Sequence, residues 1–200
     1  MQSGARLITL AMCALLSAGC TTTIEVEGPV QPAVVYSQRL PSKVAVIISE
    51  QAGSGGVTVR LGRVLGIPED LYFDYGDVLS DALFRSVLQS YQHVAQFMEN
   101  PRAGQYDRIL RFFVRNQPGN ATRPYLASAN DQFTIMVTME ALDGSTLEFM
   151  QRTTIQRSVT YNGDSKSFEK AIERAIQQLS DNVMNLLMAG FAEHTDGSRS

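Results

Sequence analysis

The sequence predicts an α+β domain: a mostly antiparallel sheet with two main helices packed on one face, preceded by a cleaved signal peptide and a Pro-rich tether. Three observations carry this prediction. Apolar or alternating runs mark strands at residues 43–49, 106–116, 131–142 and 147–161. Residues 75–93 and 168–187 repeat apolar side chains at three- and four-residue steps, the helical period. The order of strand, helix, strands, long hairpin and helix segregates the helices from the sheet.

The chain opens with Arg6 and an apolar run over residues 7–16. That length suits a signal-peptide core and falls short of the ~20 residues a spanning helix needs. Ser17-Ala18-Gly19 then precede Cys20. A charged start, an apolar core and small residues before a cysteine mark a bacterial lipoprotein signal peptide. Removal of residues 1–19 is therefore expected, leaving Cys20 as an acylated N-terminus. The other cysteine, Cys13, falls in the removed segment. The mature domain would have no cysteine for a disulfide and must rely on its core.

Residues 21–42 read as a tether. Gly28, Pro29, Pro32 and Pro41 interrupt a mostly polar stretch, and Pro-rich chain is extended and semi-rigid. Such a spacer would hold the domain away from the bilayer. Within it, Val34-Val35-Tyr36 has the composition of a short edge strand. The domain itself spans residues 43–190, and residues 191–200 read as a frayed tail.

Val44-Ala45-Val46-Ile47-Ile48 is a continuous apolar run, the pattern of a strand buried on both faces. Gly53-Ser54-Gly55-Gly56 follows as a flexible link. Residues 57–61 alternate and are expected to pair back as a hairpin. The first helix places Val78, Leu79, Ala82, Leu83, Val87, Leu88 and Tyr91 on one stripe. Asp74 is its cap, and His93 stands at its end. A short strand follows at 94–98. In the meander, Leu110, Phe112 and Val114 share one face, and Phe133, Ile135, Val137, Met139 and Ala141 share another. Asp143-Gly144 is the turn. The last helix runs from a cap at Asp164 or Ser165 to a stop at Gly190.

Lys and Arg total 17 against 20 Asp and Glu. This balance gives no footprint for nucleic acid. The only histidines are His93 and His194, so no metal site is expected. The Gly53-Ser54-Gly55 spacing is not that of a nucleophile elbow, and Gly62-Arg63-Val64-Leu65-Gly66 is not a phosphate loop. Glu69-Asp70 and Asp74/Asp77 bring carboxylates together, which loop solvation and a helix N-terminus explain. Asn120-Ala121-Thr122 matches a glycosylation sequon by chance. No catalytic residue and no cofactor is expected.

Three segments suggest work through surfaces. Leu71, Tyr72, Phe73 and Tyr75 concentrate aromatics before the first helix, either as a core staple or as a contact surface. The connection over residues 117–130 is long for a hairpin and carries Pro124, Tyr125 and Leu126, either disordered or in contact with a partner or membrane. Arg111 and Arg115 share one sheet face by parity, while Arg108 takes the other. That face is either a solvated surface or a basic surface for an anionic partner or a second copy of the chain.

A lipobox ending at Cys20, a Pro-rich tether and one such domain together resemble the small accessory lipoproteins of Gram-negative envelope transport systems. The similarity is greatest to the ABC-type transport auxiliary lipoproteins. It rests on the valine-rich strand at 44–48, on Tyr72-Phe73-Asp74-Tyr75-Gly76-Asp77 before the first helix, and on the Ala-rich helix at 171–187. The curli and exopolysaccharide secretion lipoproteins and the YajG-type lipoproteins share a similar arrangement. The resemblance implies a non-enzymatic adaptor or assembly subunit, lipid-anchored to the outer membrane and facing the periplasm, partnered by envelope transport or secretion proteins or by itself. Thr21, in place of an Asp after the cysteine, implies outer-membrane sorting. The alternative is a lipoprotein that binds a lipid or small hydrophobic ligand between sheet and helices, with Met136, Met139, Met150, Met184 and Met188 lining the pocket.

Overall fold

The computed structural model describes residues 20–28, 30–33, 35–49, 55–64, 67–117, 125–126 and 130–191. Among them the chain runs β1 (Cys20–Glu25), β2 (Leu40–Ile48), β3 (Gly56–Val64), β4 (Ile67–Asp74), α1 (Gly76–Ser90), β5 (Tyr91–Phe97), β6 (Arg108–Gln117), β7 (Tyr125–Leu126), β8 (Gln132–Asp143), β9 (Phe149–Thr160) and α2 (Ser165–Met188). The signal-peptide segment, residues 1–19, lies outside the described residues.

The α+β class with two helices holds, but the strands divide between two sheets. One has the order β1-β4-β3-β7 and the other β5-β2-β6-β8-β9. The meander β6-β8-β9 is antiparallel as expected. By contrast, β2 runs parallel to both β5 and β6. The crossover through α1 returns the chain in its original direction, which only a parallel neighbour can accept. On this interior strand of the sheet, Val44, Ala45 and Val46 are buried, as the continuous apolar run requires.

The segment before α1 is a strand, not a loop. β4 pairs with β3 antiparallel and with β1 parallel. The alternation of Leu71 and Phe73 serves a sheet face, and both point into the main core. The hairpin expected between residues 57–61 and the first apolar strand is instead formed with β4. β5 begins at Tyr91, directly after α1, so His93 is an exposed strand residue opposite Lys43 and not a helix-end cation.

The two helices meet through small side chains. Ser86 Oγ lies 2.6 Å from Ser180 Oγ and donates to the Ala82 carbonyl at 2.9 Å. Both serines are fully buried. The hydroxyls satisfy one another, so the helices approach closely without an orphaned polar group. Asp164 caps α2 by accepting from the Ser167 amide at 2.9 Å. At the other end, the amides of Gly190 (φ 94°) and Phe191 reach the Leu187 and Leu186 carbonyls at 3.1 and 3.0 Å. This is a Schellman close, with Phe191 buried as its hydrophobic partner. The domain therefore extends one residue into the expected tail.

A clamp joins the two sheets. The Tyr75 hydroxyl donates to Asn116 Oδ1, and Asn116 Nδ2 donates to the Gly56 carbonyl at 3.2 Å. Asn116 belongs to the five-stranded sheet and Gly56 to the four-stranded one. Burial pushes the Tyr75 phenol far above its ordinary pKa, and the Asn116 bond offsets only part of that.

The expected tether is docked. Cys20 already belongs to β1, and the Val26 amide continues the pairing to the Asp74 carbonyl at 2.8 Å. Val26 and Pro32 are buried. The Ala33 amide donates to Asp181 at 2.8 Å, and the Tyr36 hydroxyl to Asn185 at 2.7 Å. The described residues 30–33 and 35–36 thus form a strap tied to α2, and Pro41 lies inside β2 beside a register shift. Proline suited an extended segment. What composition did not reveal was that the extension lies against the domain.

The β8–β9 turn is tightly held. Asp143 accepts from the Ser145 hydroxyl and from the Ser145 and Thr146 amides, which holds its carboxyl below the usual carboxylate pKa. A Cβ on Gly144 would stand 1.8 Å from the Tyr106 carbonyl oxygen. Since that obstacle is backbone, Gly144→Ala should cost at least about 2 kcal/mol. A denaturant midpoint unchanged from wild type would contradict this.

Candidate interaction surfaces

The helices and the four-stranded sheet bury one side of the five-stranded sheet. The opposite side is the larger open surface. Alternation along β6 sends Leu110, Phe112 and Val114 into the core and leaves Ile109, Arg111, Phe113 and Arg115 on this outer side. Ile109 is covered locally, in a small second cluster with Ala45 and Leu142 against which Ile47, Phe97 and Tyr106 pack. Phe97 and Tyr106 meet edge to face at 5.3 Å, and Lys43 Nζ lies 4.8 Å from the Tyr106 ring centre.

Beyond that cluster is a shallow cleft of about 320 Å³ lined by Ile47, Ser49, Met98, Asn100, Arg111 and Phe113. Arg111 Nε donates to Asn100 Oδ1 at 3.1 Å, which orients the guanidinium across the cleft. Met98 is 74% exposed at its rim. The Ser49 hydroxyl is buried at its floor and has no hydrogen-bond partner among the described residues.

Further along the same side, β8 and β9 present hydroxyl pairs, Thr134 with Ser158 and Thr138 with Thr154, both at 2.9 Å. Arg152 Nε donates to Glu140 at 2.8 Å, and its guanidinium carbon lies 5.7 Å from the Phe149 ring centre. Phe149 is 57% exposed. The face thus alternates apolar and aromatic side chains with satisfied polar pairs. That is the composition of an interface, with aromatics and arginines at its centre.

The structure sorts the expected contact residues. Arg111 and Arg115 share the open face, and Arg108 is turned away toward Asp143, 3.8 Å distant. Leu71, Tyr72, Phe73 and Tyr75 are all at most 8% exposed. As contact surface they are corrected to buried positions, because β4 is an interior strand of the four-stranded sheet and Leu71, Phe73 and Tyr75 pack into the main core. Leu126 is likewise buried, in β7, which pairs with β3. The long connection therefore crosses from one sheet to the other, and the Tyr125 backbone belongs to that strand. Pro124 lies outside the described residues, as do Ser54 and His194.

Of the paired carboxylates, Asp70 faces Arg60 at 3.6 Å and Asp74 accepts from the Gly76 amide at 3.2 Å. Among the described residues no group of three or more His, Cys, Asp or Glu side chains converges. None of the described helices is long and apolar enough to cross a membrane. The cleft was not anticipated from sequence. Its signal was the outward set Arg111, Phe113 and Arg115, but Met98, Asn100 and Ser49 reach it only through the strand order.

No family model and no curated protein matches the chain. Among solved structures, it is similar to a Xanthomonas campestris protein described by the family model DUF330, at 16% identity over 84% of this chain and 95% of that one, with a TM-score of 0.55. Weaker likenesses are to a minor lipoprotein from Acinetobacter baumannii (10% identity, 76% and 94% covered, TM-score 0.41) and to lipoprotein B from Nitrosomonas europaea (14%, 78% and 87%, TM-score 0.35). At these identities the first likeness is one of fold: the chain shares its α+β architecture with the Xanthomonas campestris protein over nearly the whole of that protein's length.

Proposed function

We propose that this protein is a lipid-anchored periplasmic accessory lipoprotein that works without catalysis, as an adaptor or assembly subunit of an envelope transport or secretion complex. Acyl chains on Cys20 supply the anchor, in the outer membrane by the sorting that Thr21 implies. The observation that carries the adaptor role is the open side of the five-stranded sheet, where Arg111, Phe113 and Met98 border a shallow cleft. A shallow mixed surface suits a protein partner, whereas small ligands take enclosed, mostly apolar sites. The resemblance to ABC-type transport auxiliary lipoproteins agrees with this role. Met139 and Met184, two of the side chains that would line a ligand pocket, are fully buried, which favours the adaptor over the lipid-binding alternative.

A photo-crosslinking residue at Phe113, with a control at Glu173 on α2, tests the reading in intact cells. The expected product is a discrete adduct at 113 and none at 173, its partner identified by mass spectrometry as an envelope transport or secretion protein or a second copy of the chain. Arg115→Glu combined with Phe113→Ser should weaken that association about thirtyfold, the loss of one aromatic centre of about 2 kcal/mol. Equal adducts at both positions would remove the assigned surface. Stoichiometric lipid in the purified protein would favour the ligand-binding alternative.

A further inference from the structure

We infer that the outer edge of β9 pairs antiparallel with β9 of a second copy of this chain, joining two five-stranded sheets into one across a twofold axis. This goes beyond the adaptor role above, which needs only one copy, and takes from it only the membrane anchor that brings copies together. β9 is the last strand of its sheet and, among the described residues, pairs only with β8. It runs for 12 residues, Phe149–Thr160. An edge of that length presents a row of unpaired amides and carbonyls, a template for another strand. Proteins that keep such an edge to themselves shorten it, bend it with a bulge, or guard it with proline or lysine. β9 has neither proline nor lysine, and its register shift lies at its start, between the partners of Ala141 and Leu142. Its two arginines turn back on their own chain: Arg152 Nε donates to Glu140 at 2.8 Å, and Arg157 Nη1 to the Gln156 carbonyl at 2.8 Å. Ile155 packs against the main core but is only half-buried, so a strand beyond β9 would finish covering it.

The occupant is a second copy because the strand is complementary to itself. Arg152, Thr154 and Gln156 lie opposite Glu140, Thr138 and Met136 on the open side, while Thr153, Ile155 and Arg157 lie opposite Met139, Val137 and Ile135 on the core side. A twofold axis perpendicular to the sheet keeps the helices of both copies on one side and sets residues of the same face against each other. Arg152 and Arg157 lie on different faces, so this pairing never sets one against the other, where like charges would repel. With Thr154 on the axis, the run Gln151-Arg152-Thr153-Thr154-Ile155-Gln156-Arg157 faces itself reversed. Arg152 then meets the partner's Gln156, and Arg157 meets the partner's Gln151, each guanidinium against an amide oxygen that can accept from it. Thr154 meets its own copy and extends the hydroxyl pair that it makes with Thr138 at 2.9 Å. One strand pair buries less than the ~1,600 Å² of a standard stable interface. Anchors in one leaflet raise the effective concentration that such a contact needs. Both anchors reach that leaflet when the axis stands normal to it. Cys20 belongs to the four-stranded sheet, so the joined open faces then point away from the bilayer.

The test is disulfide formation by Thr154→Cys in the full, acylated protein, oxidised in the membranes of intact cells. With Cys20 acylated and residues 1–19 removed, the introduced cysteine is the one free thiol of the mature chain. Residues opposite each other stand about 5 Å apart at Cβ, so most chains should form a homodimer that mass spectrometry identifies as linked 154 to 154. Ser158→Cys, on the same side of the strand, is the control. In this register its two copies stand about 26 Å apart, and the linked product should be at least about tenfold less. Thr154→Lys sets two ammonium groups on the axis and should weaken association in phosphatidylethanolamine–phosphatidylglycerol vesicles about fivefold, read by energy transfer between labelled copies. Its thermal melting should match wild type, because Thr154 is exposed. A product at 154 no greater than at 158, on protein with verified acylation, would overturn the dimer and leave the anchor standing. A mixed disulfide of position 154 with a different protein, in place of the homodimer, would assign the edge to a foreign strand and overturn the twofold. A 154–154 link on protein with unmodified Cys20 would support the dimer and remove the anchor.

Discussion

Cys20→Ser is expected to move the protein from the membrane to the soluble periplasmic fraction. The variant has to be exported behind a leader that ordinary signal peptidase removes, because loss of the cysteine also blocks lipoprotein processing. Each buried CH₂ contributes about 0.8 kcal/mol, and anchoring by several chains exceeds one chain's affinity by orders of magnitude. Removing them should leave no lipid anchor, so the variant should be almost wholly soluble at any ordinary lipid concentration. Among the described residues Cys20 begins an edge strand paired only to β4, and serine preserves its backbone, so circular dichroism and thermal melting should match wild type. Sedimentation of a correctly processed Cys20→Ser protein with membranes would remove the acyl anchor from the proposed function.

Phe168→Ala should produce the largest loss of stability. Phe168 occupies the first turn of α2 and is fully buried. Its ring meets Phe73 at 5.0 Å, Tyr161 at 5.2 Å and Phe133 at 6.0 Å, all edge to face or near it. Phe73 belongs to the four-stranded sheet and Phe133 to the five-stranded one, so this one ring fastens α2 to both. Truncation should cost about 3–5 kcal/mol, through lost transfer energy, the cavity left behind and the broken ring contacts. For a chain of this size that lowers Tm by on the order of 10 °C. Phe168→Leu should cost clearly less, because it keeps most of the buried volume. Equal losses for the two variants would mean that the ring geometry, and not the volume, dominates the site.

Much of this architecture was legible because single elements carry their own periodicity. The five-turn stripe from Phe168 to Leu187 lies on the buried side of α2. The alternation Phe133, Ile135, Val137, Met139, Ala141 is buried along β8. The candidate site was half legible for the same reason. Parity put Arg111 and Arg115 on one side of β6, yet it could not say that this side is the one the helices leave open. Nor could local pattern separate the two meanings of an apolar cluster. Tyr72, Phe73 and Tyr75 look the same whether they wait for a partner or are buried, and tertiary packing buries all three.

Sequence by itself determined the elements with a strong internal period, the helix caps and stops at Asp164 and Gly190, and the cysteine whose acylation would set the protein's address. All of these depend on interactions within a few residues of chain. Only the tertiary structure decided that there are two sheets, that the described part of residues 21–36 docks on the domain, and that Cys20 pairs opposite Glu69 of β4. Those outcomes depend on pairing between segments tens of residues apart, where the closure of long loops is set by which surfaces fit and leaves no periodic trace in the chain.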